Sequence, residues 1–146
     1  MHVVFDVMIV TAIVIRLEAV LVAAIVAMVV GAFWYSPLGF GEAWMRLTGM
    51  KKPTKSMKKK VQKAYALMFV SSLVMSLILA FEVRYNLAVT LLDGAMVGVW
   101  LWLGFVATTQ LTGVLWQNKS WTLYFIESGY YLVVLAITGA LLTVWV

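Results

Sequence analysis

The stretch from Ala19 to Gly41, AVLVAAIVAMVVGAFWYSPLGFG, decides how this chain folds. It carries no charged residue, and a helix needs about 20 apolar residues in a row to cross the hydrocarbon core of a bilayer. It closes on Phe33, Trp34 and Tyr35, whose rings favour the headgroup boundary. Pro37 then ends the helix, because the residue before a proline is biased away from helical angles. Working outward, a second uncharged run extends from about Ala64 to Phe81 and stops at Glu82 and Arg84. A third runs from Gly94 to Asn118, with Asp93 either capping it or lying shallowly inside. A fourth begins near Trp121 and is broken only by Glu127.

These runs predict an all-α, polytopic membrane four-helix bundle made of two transmembrane hairpins. The spans fall at about 17–36, 63–82, 93–114 and 121–145 of a single transmembrane domain, 1–146. Composition points the same way: 64% of the 146 residues are hydrophobic and 12% charged, against about 45–50% apolar content in soluble domains. Residues 1–15 form an apolar extension too short to cross a bilayer. It prolongs the first helix, lies in the interface, or reflects an alternative start. A positively charged leader, as in a secretory signal, is missing from it.

Eight of the eleven Lys and Arg residues lie between Arg46 and Lys63, among them Lys51, Lys52, Lys55, Lys58, Lys59 and Lys60. A short basic loop between two spans is held in the cytoplasm by the positive-inside bias and rests on anionic headgroups, so the lysines read as lipid contacts. No nucleic-acid recognition fold accompanies them, and nucleic acid is not expected as a partner. Loop 46–63 inside the cell places both termini outside a cell-membrane, multi-pass protein. Before that loop, Phe40, Trp44, Met45 and Leu47 recur at near-helical spacing beside Glu42 and Arg46, the pattern of an interfacial amphipathic segment after the first span.

Small residues recur four apart in every span: Ala23, Ala27 and Gly31; Ser72 and Ser76; Gly94 and Gly98; Ala136 and Ala140. In lipid, burying one apolar side chain against another gains little over burying it in acyl chains, so close backbone approach at small residues drives helix association. The stripes therefore read as packing faces.

The run Gly31-Ala32-Phe33-Trp34-Tyr35-Ser36-Pro37-Leu38, continued by Phe40-Gly41 and Trp44-Met45, resembles the opening signature of a membrane family, the domain of unknown function seventeen sixty-one. Trp102 to Thr109 and Gly129-Tyr130 are similar to the same pattern, which covers about residues 17 to 146. The resemblance implies a small membrane protein with no established reaction and singles out Trp34, Tyr35, Ser36, Pro37, Phe40 and Trp44 as its interfacial signature. The chain differs from the pattern in its N-terminal extension and at Glu127 and Tyr131, where the family frequently has Asn and His.

Chemistry concentrates on Glu127, because an ionisable group within a bilayer costs about 2.5–3.5 kcal/mol on insertion scales and is a functional candidate by default. Tyr124, Glu127 and Tyr131 share one face of the fourth span. Thr108 and Thr109, near Gln110, lie at the matching depth of the third span, and Tyr35 ends the first span at that level. Together they outline a polar pocket open to the cytoplasm, which binds a cation, relays a proton or holds a polar ligand. The alternative is that Glu127 is neutral, or bonded to a neighbouring threonine or tyrosine, and serves packing alone.

With no cysteine and a single histidine, His2, the chain offers no metal cluster and no catalytic triad, and no cofactor is expected. Three functions stay open. The first is a non-enzymatic helical module that self-associates as a homo-oligomer or serves a membrane-protein partner as an accessory subunit. The second is a small transporter or channel using the Glu127 pocket. The third is an intramembrane lipid-modifying enzyme, for which the chain shows no nucleophile–base pair.

Overall fold

A computed structural model describes residues 15–145. The expected apolar extension lies almost wholly outside the described residues. The regular elements of the described residues are all helical: α1 (Leu17–Trp34), α2 (Gly41–Thr48), α3 (Lys58–Tyr85), α4 (Leu91–Leu101), a π-helical stretch (Trp102–Ala107), α5 (Thr108–Trp116) and α6 (Trp121–Trp145). A single 3-10 turn, Lys55–Met57, leads into α3. Among the described residues four helical rods are long and apolar enough to cross a membrane: Leu17–Trp34, Lys55–Tyr85, Leu91–Trp116 and Trp121–Trp145. The protein is a multi-pass membrane four-helix bundle. Lys58, Lys59, Lys60 and Lys63 form the basic first turns of α3.

The bundle is packed in the sense that lipid requires. Along α1, Leu17, Leu21, Ile25, Val29 and Phe33 form an exposed ridge at four-residue spacing, while Ala19, Ala23, Ala24 and Ala27 are fully buried. Large apolar side chains face outward and small ones face the neighbouring helices, as expected where association depends on close approach. The fourth span, α6, is the most buried and touches α1, α3 and α4.

The most extensive pairing is between α4 and α6. A side chain at Gly94 would run into the Gly139 carbonyl and the Thr143 hydroxyl, and one at Gly98 into the Leu135 carbonyl. On α6 the face that meets these glycines is therefore Leu135, Gly139 and Thr143. Ala136 and Ala140, the four-residue stripe read from the sequence, are only partly buried one position away. The stripe was sought by side-chain size alone, and the contact surface here is bare backbone.

Asp93 completes a capping box. Its side chain accepts from the Thr90 amide at 2.8 Å, while the Thr90 hydroxyl accepts from the Asp93 amide at 3.2 Å. The N-terminal amides of α4 are thereby satisfied at the start of the span.

Candidate functional site

At the end of the bundle that carries the basic loop, the signature run after α1 folds back on itself. Phe40 N donates to the Trp34 carbonyl at 2.7 Å, Gly41 N to the Ser36 carbonyl at 3.1 Å, and the Ser36 hydroxyl to the Phe33 carbonyl at 2.7 Å. A Cβ at Gly41 would collide with the Tyr35 carbonyl, so this reversal admits only glycine there. The turn sends α2 across the end of the fourth span. It is a short amphipathic helix, as expected, ended by Gly49 in the left-handed region at φ 71°.

That placement brings Trp44 to Glu127. The indole Nε1 donates to one carboxylate oxygen at 3.3 Å, and Lys119 Nζ pairs with the other at 3.1 Å. Lys119 is aimed by the close of α5: Asn118 takes a left-handed conformation, φ 55°, and Lys119 N donates to the Gly113 carbonyl at 3.1 Å. Its stem then crosses Gly113, where a Cβ would come within 2.9 Å of the lysine Cδ. The partners of Glu127 thus come from the two connections at this end of the bundle, not from a threonine or tyrosine of a neighbouring span. The Glu127 side chain is 24% exposed and that of Lys119 40%.

Beside Glu127 lies a cavity of about 560 Å³, within the ordinary range for small-molecule sites. Four rings follow one another along its wall. Trp44 and Tyr35 have centroids 5.5 Å apart, Tyr35 and Tyr130 5.4 Å, and Tyr130 and Tyr131 4.9 Å. Tyr130 donates to the Ala27 carbonyl at 3.3 Å and lies over Gly31, which fixes the middle of the row. The second span contributes Val61, Ala64, Tyr65 and Met68, and the third contributes Gln110.

Of the residues expected to share one pocket, Glu127, Tyr131 and Tyr35 line the cavity, and Trp44 of the signature segment joins them. Tyr124, Thr108 and Thr109 do not. Tyr124 donates to the Ala107 carbonyl at 3.0 Å, Thr108 to the Gly104 carbonyl at 2.7 Å, and Thr109 to the Phe105 carbonyl. All three serve the π-helical stretch, whose widened turn disturbs the ordinary hydrogen-bond ladder. Side-chain hydroxyls re-satisfy such carbonyls where there is no water.

The same stretch explains Gln110. In an unbroken α-helix, residue 109 lies about three turns beyond Gly98 and shares its face. The π turn advances the register, so Gln110 faces the interior and Thr109 is exposed. Gln110 Oε1 is buried without a protein partner, a state it shares with Ser76 Oγ among the described residues. It is the one amide in the middle of the third span, and that was the available signal.

Two further indoles bracket Glu127 along α6. Trp34 Nε1 donates to the Ile126 carbonyl at 3.0 Å, and Trp102 Nε1 to the Ser128 carbonyl at 2.8 Å and its hydroxyl at 3.1 Å. Trp34 and Trp44 are half-buried, each with its indole bonded to α6. Trp100, 64% exposed, faces outward, while Trp102 faces α6. Among the described residues no group of His, Cys, Asp or Glu is placed to hold a metal ion.

Fold and site together define a small multi-pass membrane protein with a ring-lined, carboxylate-edged cavity at the basic-loop end of its bundle. The family model described as Protein of unknown function (DUF1761) matches residues 18–143, and the chain belongs to that family. No curated protein and no solved structure matches the chain.

Proposed function

We propose that this protein is a non-enzymatic membrane module that holds a small ligand in the Glu127 cavity, with the cavity and the Lys-rich segment facing the cytoplasm. The observation that carries the reading is the 560 Å³ cavity itself, which Tyr35, Trp44, Tyr130 and Tyr131 line with rings and to which Glu127 and Gln110 add a carboxylate and an amide. The basic run before and within α3 supports the orientation by the positive-inside bias and supplies contacts to anionic lipid.

Cavity filling tests this. Ala64 lines the cavity from the second span and is exposed, so Ala64→Trp fills the space without crowding a helix contact. Native mass spectrometry of protein released from nanodiscs should show a small molecule on the wild-type chain and none on Ala64→Trp. An empty wild-type chain, or an identical adduct on both, refutes the reading.

A second reading, a transporter or channel built from several copies, is favoured by the third span, the least buried of the four, which presents Trp100, Leu103 and Phe105 outward. A second copy seated on that face would bring two cavities into one assembly. Solute flux in liposomes that is lost in Glu127→Gln supports this reading, and flux unaffected by the substitution excludes it.

A further inference from the structure

We propose that the cavity selects a lipophilic organic cation, a substituted ammonium head on an apolar body, and that Lys119 is a resident counter-charge which the ligand displaces. This rests on the cavity being a ligand site and names the class of ligand it takes. Charge decides first: Glu127 is the one ionisable carboxylate in the lining, and no Lys or Arg contributes to it. An anion would meet the Glu127 carboxylate in a lining that holds no cation, since Lys119 pairs with Glu127 from outside it. The ring walls then decide the kind of cation. Aromatic faces carry partial negative charge and attract an ammonium within about 6 Å of a ring centroid, most effectively where water is excluded. Tyr35, Tyr130, Tyr131 and Trp44 all line the cavity with neighbouring centroids 4.9 to 5.5 Å apart, so a head beside one ring lies near the next. A bare metal ion finds a single carboxylate and no cluster of ligating groups among the described residues. Met28 and Met68 supply a pliable apolar wall for the rest of the molecule.

Lys119 is the movable part. Its ammonium is strongly hydrated and its side chain is 40% exposed, so releasing Glu127 to water costs little. Glu127, by contrast, keeps the Trp44 indole when Lys119 leaves. An incoming cation therefore exchanges one counter-charge for another, and removal of Lys119 strengthens binding.

The experiment is isothermal titration of the full chain in dodecyl maltoside, a neutral detergent, with benzyltrimethylammonium, its uncharged carbon isostere neopentylbenzene, and benzenesulfonate. Short-chain phosphatidylcholine forms a fourth arm, which distinguishes a lipid headgroup from a free cation. A quaternary ammonium probe should bind about tenfold more tightly than the isostere and the anion. Lys119→Ala should tighten its binding, and Tyr131→Leu and Glu127→Gln should weaken it several-fold, with Tyr131→Phe, which keeps the ring, weakening it less than Tyr131→Leu. Tighter binding of phosphatidylcholine than of benzyltrimethylammonium assigns the head to a lipid, and the reverse assigns it to a soluble cation. Equal binding of cation and isostere, abolished by Ala64→Trp, overturns the cation class and leaves the ligand site standing. Weaker binding in Lys119→Ala overturns the exchange even if Glu127→Gln fails to fold. No binding of either ammonium probe to wild-type protein overturns the proposal outright.

Discussion

Gly98→Ala and Gly104→Ala, substitutions on the same span, should move stability in opposite directions. At Gly98 the new methyl group would enter the Leu135 carbonyl and the backbone beyond it, and backbone cannot rotate aside as a side chain can. The two helices must separate, and overpacking of this kind costs about 1–3 kcal/mol. At Gly104 nothing lies near the position of the new atom, so only the helix preference of alanine acts, worth about 0.5–1 kcal/mol in favour of the folded state. The two variants should differ by about 1.5–4 kcal/mol, or about tenfold to several-hundredfold in the unfolding equilibrium. Equilibrium unfolding in mixed dodecyl maltoside and dodecyl sulfate micelles, followed by tryptophan emission, measures that difference. Equal stability of the two variants would refute a backbone-to-backbone contact between α4 and α6.

Two other outcomes follow from the same geometry. Trp102→Phe removes the donor shared by the Ser128 carbonyl and hydroxyl and should cost about 1 kcal/mol in the same titration, while Trp100→Phe, on the exposed face, should cost nothing measurable. Because the chain has no cysteine, Ser56→Cys provides a single thiol in the basic segment; a membrane-impermeant reagent should label it in inside-out vesicles and not in whole cells, and the reverse pattern would reject the orientation.

The spans were legible because charge is nearly absent from them, and an unbroken apolar run of this length, without the alternation of a barrel strand, satisfies its backbone in hydrocarbon as a helix. The candidate site was legible in part. Glu127 stood out as an acid within an apolar run, and Tyr131 and Tyr35 followed from helical spacing and depth. Thr108 and Thr109 were assigned to the pocket because a regular helix was assumed, and the π-helical stretch turned them outward and brought Gln110 in. Its cue is local: Gly104 followed by hydroxyls four and five residues on, side chains able to satisfy the disturbed carbonyls. The reach of Trp44 and Lys119 to Glu127 could not be read from spacing, since both come from connections whose course depends on turns at Gly41 and Asn118.

Glu127 is held more firmly than packing requires. Its neighbours in sequence, Ile126 and Ser128, each accept an indole hydrogen bond, one from the first span and one from the third, which fixes the backbone on both sides of the carboxylate. One carboxylate oxygen is fixed by Trp44, and Trp44 is itself set by the tight reversal after α1 and by its edge contact with Tyr35. The second oxygen meets the ammonium of Lys119, a long, half-exposed side chain that loses rotamer freedom to make the contact. A glutamine would keep the indole bond and discard the pair, so burial and packing alone do not demand a charge at this position. On the proposed exchange, a carboxylate placed by three indole hydrogen bonds keeps its position when its half-exposed counter-charge leaves, as permanent pairing would not require.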